Sequence, residues 1–295
     1  MASGSDFKPD KDLSTICTKL WKLDTNRLVP GVDYSIDLQG YTRVSQRQDR
    51  ADDPLFSHVN DNKLQQIPTF KFFIALLDNY SQETGVPEEV TEQEVQENWS
   101  FLNAAMETEV MKKAHRYLAK KKLVPKDEKQ FKEALYDLWF KLYSRTRGMG
   151  RGNYDSSGFE HVFVGESRGH EDNREVTGFH NWIQFYLQEK AGHIDYKGWV
   201  PPRGVRRVTK KDRPNEKTHL LSLQFAWKSD TKPVGSSFIG TSPEFEMALY
   251  TVVFFSGRNG KNCIEIEDYD VEIVVHKMGD KLGSSYPVAL ADQQP

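Results

Sequence analysis

The sequence predicts an α+β fold in which a helical N-terminal lobe precedes a C-terminal lobe of antiparallel β-sheets with a few helices. Apolar residues recur at helical spacing through the first half of the chain. After a glycine-rich break at Arg147–Asn153, short runs of β-branched and aromatic residues take over. Helical segments followed by strand segments are typical of α+β proteins. We therefore expect a tail at 1–11 and one domain at 12–292, divided into a helical lobe at about 12–147 and a β-rich lobe at about 151–292.

The first half contains five predicted helices. They are defined by apolar side chains three or four residues apart and by residues that favour helix ends. Thr91 and Glu94, for example, have the pattern of a capping box, which begins a helix. In chain order, the helices are predicted at Leu13–Trp21, from Ile67 along a face of Phe70, Phe73, Ile74, Leu77 and Tyr80, from Thr91, at about 98–122 and at about 127–142.

The second half contains four predicted strands, which two predicted helices interrupt. The strands are short apolar runs rich in valine, isoleucine, leucine and phenylalanine. They are predicted at Glu160–Gly165, Leu220–Phe225, Thr251–Phe255 and Val271–Val275. The two helices are predicted at Phe179–Glu189 and Glu244–Tyr250.

Composition excludes several classes of protein. Aromatic residues make up 12% of the 295 residues, which indicates a folded chain rather than a disordered one. No apolar run approaches the roughly 20 residues that span a bilayer, so no transmembrane segment is expected. The net charge of −3 does not indicate a nucleic-acid-binding protein. A monomer is expected because no heptad pattern is present.

The expected location stays open between the cytoplasm and secretion after processing. Residues Met1–Asp6 have neither a basic flank nor an apolar stretch, so no secretory signal is expected in this chain. The two cysteines, Cys17 and Cys263, have no CxxC spacing, which excludes a cysteine zinc site and a disulfide framework. One long-range disulfide and two free thiols both remain open, and the thiols are favoured because cysteine packs as a small core residue.

Two charged segments have two interpretations each. Six glutamates and no basic residue lie between Glu83 and Glu97, which is typical of a solvated helix face, although carboxylates also suit a divalent cation. Eight basic residues lie between Lys197 and Lys217, against only Asp212 and Glu216. Such a loop suits a phosphate backbone, and an ordinary basic loop is an equally weighted interpretation.

Two of the eight histidines have a shared pattern. His161 and His180 each follow Gly-Phe, lie at the end of a predicted element and have glutamates nearby in sequence. Two histidines suit acid–base catalysis near neutral pH, and carboxylates can orient each ring. The residues alone leave structural and catalytic roles open. Zinc is disfavoured because HExxH is absent, and the chain has no GxSxG, Walker A or GxGxxG pattern.

Several ordered blocks closely resemble the EndoU family of uridylate-directed endoribonucleases, the XendoU type. The first two blocks, Ser157–Glu166 and Gly178–Ile183, contain the two histidines. The resemblance spans about 12–290, and its other blocks are Lys232–Ser236 with Phe238–Glu246, Asn26–Tyr34 and Pro68–Phe70. An EndoU-like fold is therefore expected.

The resemblance also implies roles for individual residues. The family's catalytic histidines fall on His161 and His180, and its lysine falls on Lys232. The glutamates that accompany the first histidine fall on Glu160 and Glu166. By similarity to the related coronavirus uridylate-specific enzyme, the residues that hold the uracil and the sugar are Ser236, Ser284 and Tyr286.

The activity implied by the resemblance is cleavage of single-stranded RNA at uridylates. The 2′-hydroxyl attacks the phosphate with His180 as base and His161 as acid, and Lys232 stabilises the developing charge. The products are a 2′,3′-cyclic phosphate and a 5′-hydroxyl, and DNA is not cleaved. Mn²⁺ or Ca²⁺ is expected to stimulate the enzyme away from the reacting phosphate. The alternatives are a catalytically weak RNA-binding module of the same fold and an interaction protein that meets lipid through its basic loop.

Aromatic residues beside the two histidines have two possible uses. Phe159, Phe179, Trp182 and Tyr286 are candidates to stack on an unpaired base. Core packing is favoured for Phe163, Trp182 and Phe185. Tyr286 is the one most expected to face a ligand, because it lies near the C-terminal end between serine and proline.

Overall fold

The fold is the expected α+β combination of helices and antiparallel sheets. The computed structural model describes residues 7–46, 48–88, 90–145, 154–169, 174–202, 205, 207–267 and 269–290. The predicted break at Arg147–Asn153 lies outside these residues. In the part of the chain that is described, the α-helices are α1 (Lys11–Leu23), α2 (Asp61–Gln66), α3 (Pro68–Ala75), α4 (Glu92–Met106), α5 (Glu109–Lys120), α6 (Glu128–Trp139), α7 (Trp182–Lys190) and α8 (Pro243–Ser256).

The strands form three sheets. They are β1 (Tyr34–Ile36), β2 (Phe56–Val59), β3 (Glu166–Arg168), β4 (Glu175–Thr177), β5 (Ile194–Trp199), β6 (Leu220–Trp227), β7 (Asp230–Phe238), β8 (Gly260–Ile266), β9 (Tyr269–Met278) and β10 (Lys281–Ala289). A five-stranded sheet has the order β3-β4-β7-β6-β5, a three-stranded sheet has the order β10-β9-β8, and β1 pairs with β2. Strand pairing is antiparallel except between β4 and β7. Strand β10 lies against β6 and β7, so the two larger sheets meet there.

Helix α8 is the centre of the core. Helices α1, α3 and α5 pack on it, and it contacts β9 and β10 of the three-stranded sheet. Every residue from Pro243 to Phe254 is buried, so the helix is apolar around its whole circumference. The strand predicted at Thr251–Phe255 is therefore wrong. Ser242 caps a helix that begins with Pro243 and continues through this β-branched run, because burial on every side outweighs intrinsic propensity.

The strand predicted at Glu160–Gly165 is also wrong. Residues Glu160–Val164 form a single π-helical turn that ends at Gly165, whose φ is +93°. A π-helical turn is rare and has no periodic pattern that the sequence could reveal. Strands β6 and β9 confirm the predictions at Leu220–Phe225 and Val271–Val275.

Some helix boundaries in the first half differ from the predicted ones, and capping residues explain where the helices actually begin. Thr91 and Glu94 form the predicted capping box, but the helix that they begin continues through residue 98 to Met106. Thr108 then caps α5, so the segment predicted as one helix at 98–122 belongs to two. Helix α3 ends at Ala75, which leaves Leu77 and Tyr80 beyond it.

Both cysteines are free thiols, as the favoured interpretation expected, and Cys17 is fully buried. Within the described residues, no helix is long and apolar enough to cross a membrane.

A buried hydrogen bond joins α8 to α6, and its loss is a test of this arrangement. Trp139 Nε1 donates to Thr251 Oγ1 over 2.9 Å, and both side chains are buried. We expect Thr251→Val to lower the free energy of unfolding by about 1–3 kcal/mol, because it leaves a buried donor without a partner. Urea denaturation measures the change. The control, Thr15→Val on the exposed side of α1, is expected to change it by less than about 0.5 kcal/mol. Equal stabilities of the two variants would contradict the packing.

Candidate active site

The two predicted histidines are brought together by backbone pairing. The amide of Phe179 donates to the carbonyl of His161 over 3.0 Å, and the amide of His180 donates to the carbonyl of Val162 over 2.7 Å. The segment after β4 therefore lies directly against the π-helical turn. This short pairing fixes His161 and His180 on one wall.

Gly178 allows this close approach. Its φ is +64°, and a Cβ added there would lie 1.7 Å from the His161 carbonyl oxygen. No other residue type fits both the conformation and the space. Phe179, with φ of +61°, then turns its ring into the core, where it packs edge-on against Trp227 at 4.9 Å between centroids.

Asn181 fixes the start of α7 directly after His180. Its Oδ1 accepts from the amides of Ile183 and Gln184 over 3.0 and 3.1 Å. The helix predicted from Phe179 thus begins at Trp182, and His180 directly precedes its N-cap residue Asn181. This capping restrains the backbone that carries the His180 ring.

A carboxylate orients the His161 ring. Its Nδ1 lies 2.5 Å from Glu166 Oε2, and because an ionised carboxylate can only accept, Nδ1 is the donor. Burial opposes ionisation of Glu166, but the hydrogen bond from His161 and the Arg145 guanidinium 3.7 Å away hold the pKa of the carboxyl below its ordinary value. Burial also lowers the pKa of His161, and Glu166 opposes that effect. Nε2 remains available to the cavity.

A backbone carbonyl orients the His180 ring. Its Nδ1 lies 2.9 Å from the carbonyl oxygen of Ser236, which can only accept, so Nδ1 carries the proton. Burial and the neighbouring Lys232 lower the pKa of His180 well below its ordinary value. The ring is therefore neutral at neutral pH, with a lone pair on Nε2. Tyr286 stacks on it with centroids 4.5 Å apart and an interplanar angle of 18°.

Lys232 on β7 lies beside both histidines. Its Nζ donates to the carbonyl of Gly178 over 2.6 Å, which ties β7 to the segment that pairs with the π-helical turn. The side chain is buried, and burial lowers its pKa to about 7. A cation in so poorly solvated a position favours any anion that enters.

These side chains line one cavity of about 680 Å³ between the two larger sheets. The predicted residues that it brings together are His161, His180, Lys232, Ser236, Ser284 and Tyr286. Ser236 Oγ is 2.7 Å from Ser222 Oγ, while Ser284 and Tyr286 come from β10. None of the described residues that line the cavity is an aspartate or a glutamate.

Glu160 lies apart from this group. Its Oε2 accepts from the amide of Ser157 over 3.2 Å, and the Ser157 hydroxyl accepts from the amide of Glu160 over 3.1 Å. The carboxyl thus closes the beginning of the turn that carries His161, and it does not line the cavity. Burial and the nearby Glu166 raise its pKa.

Arg145 and His276 also line the cavity and were missed by the sequence analysis. Arg145 Nε donates to Ser156 Oγ over 3.1 Å, and its Nη2 donates to the Gly283 carbonyl over 2.5 Å. No local motif marks this arginine. His276 pairs across the β9–β10 ladder with Ser284, so strand register is the signal that would have revealed it.

Most aromatic candidates for base stacking belong to the core. Phe159, Phe179 and Trp182 are buried, so these three of the four candidates are not available to stack on a base. The predicted core positions of Phe163, Trp182 and Phe185 are confirmed. Tyr286, by contrast, is partly exposed and lines the cavity.

Several glutamates of the acidic segment at Glu83–Glu97 already have partners within the protein. Glu83 pairs with Arg174 at 3.0 Å, Glu94 closes the capping box, and Glu97 accepts from Asn79 over 2.8 Å. Glu89 lies outside the described residues. These contacts favour the interpretation of a solvated, structural segment.

The geometry suits acid–base chemistry on an anion. Two imidazoles each have Nδ1 bonded to a fixed acceptor, and a buried ammonium lies beside them. One neutral ring can take a proton while the other gives one, and the lysine stabilises negative charge. An RNA phosphate with its adjacent 2′-hydroxyl is a substrate of this kind.

Comparison with known proteins points to one family. The family model described as endoribonuclease XendoU matches residues 12–287. Poly(U)-specific endoribonuclease-B of Xenopus laevis is 47% identical over 291 residues, which cover 96% of each chain. Uridylate-specific endoribonuclease B of Danio rerio is 49% identical over 284 residues, 95% of this chain and 96% of that one.

A solved structure shares the fold over the whole domain. The structure of XendoU, described as a splicing-independent snoRNA-processing endoribonuclease, superposes with a TM-score of 0.82 at 46% identity. The match covers 96% of this chain and 98% of that one. The fold, the paired histidines and these matches agree, and the chain belongs to the XendoU family of endoribonucleases.

Proposed function

We propose that the protein cleaves single-stranded RNA on the 3′ side of uridylates by transesterification, leaving 2′,3′-cyclic phosphate and 5′-hydroxyl ends. The observation that carries this proposal is the cavity in which two oriented imidazoles and a buried ammonium converge. Relatives named for poly(U) or uridylate specificity support the choice of base.

His180 is the base that takes the proton of the 2′-hydroxyl. Its Nδ1 is held by the Ser236 carbonyl, and its lowered pKa keeps Nε2 unprotonated at neutral pH. The 2′-oxygen then attacks the adjacent phosphorus. DNA lacks this nucleophile and is not cleaved.

His161 is the acid that protonates the departing 5′-oxygen. Glu166 favours the protonated ring by accepting from Nδ1, an advantage that His180 lacks because it faces a neutral carbonyl. The charge of the bound phosphate further raises the pKa of His161 in the complex. Lys232 stabilises the negative charge that develops on the non-bridging oxygens.

Ser236, Ser284 and Tyr286 hold the uridine. The two hydroxyls offer hydrogen bonds to the polar edge of a pyrimidine or to its ribose. The Tyr286 ring covers His180 with one face, which brings the bound sugar close to the base. Uridylate specificity comes from the part of the cavity that these three side chains line.

Mn²⁺ or Ca²⁺ stimulates cleavage by binding away from the reacting phosphate. The cavity lining contains no carboxylate among the described residues, and hard cations prefer oxygen ligands. In the same part of the chain, no three histidine, cysteine, aspartate or glutamate side chains converge in an arrangement that could hold a metal ion. The described residues therefore form no site for this cation, and the buried carboxyls of Asp24, Glu244 and Glu246 match it in donor type alone.

Each of these three carboxyls is buried and has one oxygen without a hydrogen-bond partner. Burial raises all three pKa values, that of Asp24 to about 7, which disfavours the ionised form that a hard cation binds.

Cleavage of an RNA oligonucleotide with a single uridine tests the reaction. We expect one cut after the uridine, a cyclic phosphate product, and no cut in a copy with 2′-deoxyuridine. His161→Ala and His180→Ala are each expected to retain RNA binding and less than a tenth of wild-type cleavage, because each ring serves one proton transfer. Assays with Mn²⁺, Ca²⁺ and EDTA test the cation, and undiminished cleavage in EDTA would contradict it.

Two other outcomes would overturn the reaction. Binding of the all-ribose substrate without cleavage under every condition would make the protein an RNA-binding module. Cleavage of the deoxy copy would exclude the 2′-hydroxyl as nucleophile.

The pH profile tests the role of Glu166. His161 must be protonated to act as acid, so kcat/KM is expected to fall as pH rises through its pKa. Glu166→Gln removes the carboxylate that favours the imidazolium, so that pKa falls further and the alkaline limb moves to lower pH. The control, Glu160→Gln, is expected to leave the limb in place because this carboxyl does not contact the ring. A reduced kcat with an unmoved limb in Glu166→Gln would leave Glu166 with only a structural role.

A further inference from the structure

A basic segment begins at one end of the cavity. Val200 and Pro201 line the cavity wall, and the segment that follows them leads to Arg207–Lys217. The amide of Val200 donates to the carbonyl of Ser222 over 2.7 Å, and the Ser222 hydroxyl is 2.7 Å from that of Ser236. The segment therefore leaves the cavity at the end where Ser236 and His180 lie.

The described part of this segment is held against the protein. Val208 packs on the hydrophobic core, and Pro214 is buried. Arg213 Nη1 donates to the carbonyl of Gln39 over 3.0 Å. These anchors restrain the backbone of Lys210 and Lys211, which lie between them, and of Arg207, which directly precedes Val208.

The acidic groups of the segment are already used within it. Asp212 Oδ2 accepts from the amide and hydroxyl of Thr209 over 2.6 and 2.7 Å. Glu216 pairs with Arg213 at 3.1 Å.

Four basic side chains of the segment have no carboxylate partner among the described residues: Lys217 at its end, and three that lie closer in sequence to the cavity wall. Arg207, Lys210 and Lys211 are exposed, and no carboxylate among the described residues pairs with them. Lys197, at the start of the basic stretch, is different because it pairs with Asp195 on β5 and with Asp49 in a loop. Among the described residues, the segment from Arg207 to Lys217 thus carries four positive charges with no carboxylate partner, which suits a polyanion.

The direction of the RNA follows from the proposed function, on which this inference rests. His161 protonates the leaving 5′-oxygen, so nucleotides downstream of the cut exit on the His161 side. The uridine itself lies against His180 and Ser236, so upstream nucleotides continue from its 5′-carbon toward Val200 and Pro201. The basic segment begins on that side.

We propose that Arg207, Lys210 and Lys211 bind the backbone phosphates of the nucleotides on the 5′ side of the cleaved uridine. Such contacts position single-stranded RNA without reading its sequence. They extend the substrate site beyond the cavity and favour uridines that have several nucleotides upstream.

Three substrates test the direction of this effect. The first is a short core of uridine with one downstream nucleotide, and the other two carry six additional nucleotides on the 5′ side or on the 3′ side. We expect the wild-type protein to cleave the 5′-extended RNA with at least tenfold higher kcat/KM than the core. In Arg207→Gln/Lys210→Gln/Lys211→Gln this ratio is expected to fall to near 1.

A matched variant and a salt titration serve as controls. Lys120→Gln/Lys126→Gln/Lys129→Gln removes the same charge from exposed lysines outside the cavity and is expected to keep the tenfold ratio. For the 5′-extended RNA, the slope of log KM against log salt is expected to fall by about 2 in the first triple variant, as three lost phosphate contacts on single-stranded RNA require.

The contrary results are distinct. A ratio near 1 in the wild-type protein, or an equal loss on the 3′-extended RNA, would overturn the assignment of this segment. Binding of phosphatidylserine vesicles that the triple variant abolishes, with an unchanged RNA ratio, would assign the segment to lipid instead. Failure of the wild-type protein to cleave even the core would overturn the proposed function itself.

Discussion

The site depends on one short stretch of backbone pairing, in which the amides of Phe179 and His180 donate to the carbonyls of His161 and Val162. These two hydrogen bonds set the distance between the two histidines that we propose as acid and base, because each ring is held by its own Nδ1 partner. The pairing in turn requires Gly178, where a Cβ would lie 1.7 Å from the His161 carbonyl. Lys232 donates a hydrogen bond to the carbonyl of the same glycine, so its position depends on this pairing as well.

Burial changes the pKa values of the groups in the site, and it also costs free energy of folding. Taking His161, His180 and Lys232 out of water lowers the pKa of each and keeps His180, the proposed base, neutral. The same burial leaves the charge of a protonated Lys232 weakly screened. The hydrogen bonds to Glu166 and to backbone carbonyls offset part of the cost of desolvation. The core around α8 supplies the stability that allows such a site to persist, since this helix packs against both helices and sheet. We infer that burying these polar groups lowers the stability of the fold, and that packing around α8 compensates for this cost.

The sequence correctly predicted those features of the fold that depend on interactions between residues close together in the chain. The fold class follows from periodicity, and the capping box at Thr91 and Glu94 follows from two side chains. The family's motifs identified His161, His180 and Lys232, and similarity to the related coronavirus enzyme identified Ser236, Ser284 and Tyr286, all of which line the cavity. Tertiary features were not predictable in this way: α8 is a helix because it is buried on every side, and the turn at Glu160–Val164 is held by contacts distant in sequence.

The central claim is tested most directly by RNA cleavage with Gly178→Ala beside Gly192→Ala. Both glycines have positive φ, +64° and +75°, but a Cβ on Gly192 would meet nothing within 4 Å. Each substitution is expected to lower the free energy of unfolding by about 1 kcal/mol, because alanine disfavours positive φ. Only Gly178→Ala also disturbs the backbone pairing. With folding verified by tryptophan fluorescence and urea titration, we predict at least hundredfold slower single-turnover cleavage for Gly178→Ala and near wild-type cleavage for Gly192→Ala. Equal rates in the two folded variants would contradict the account.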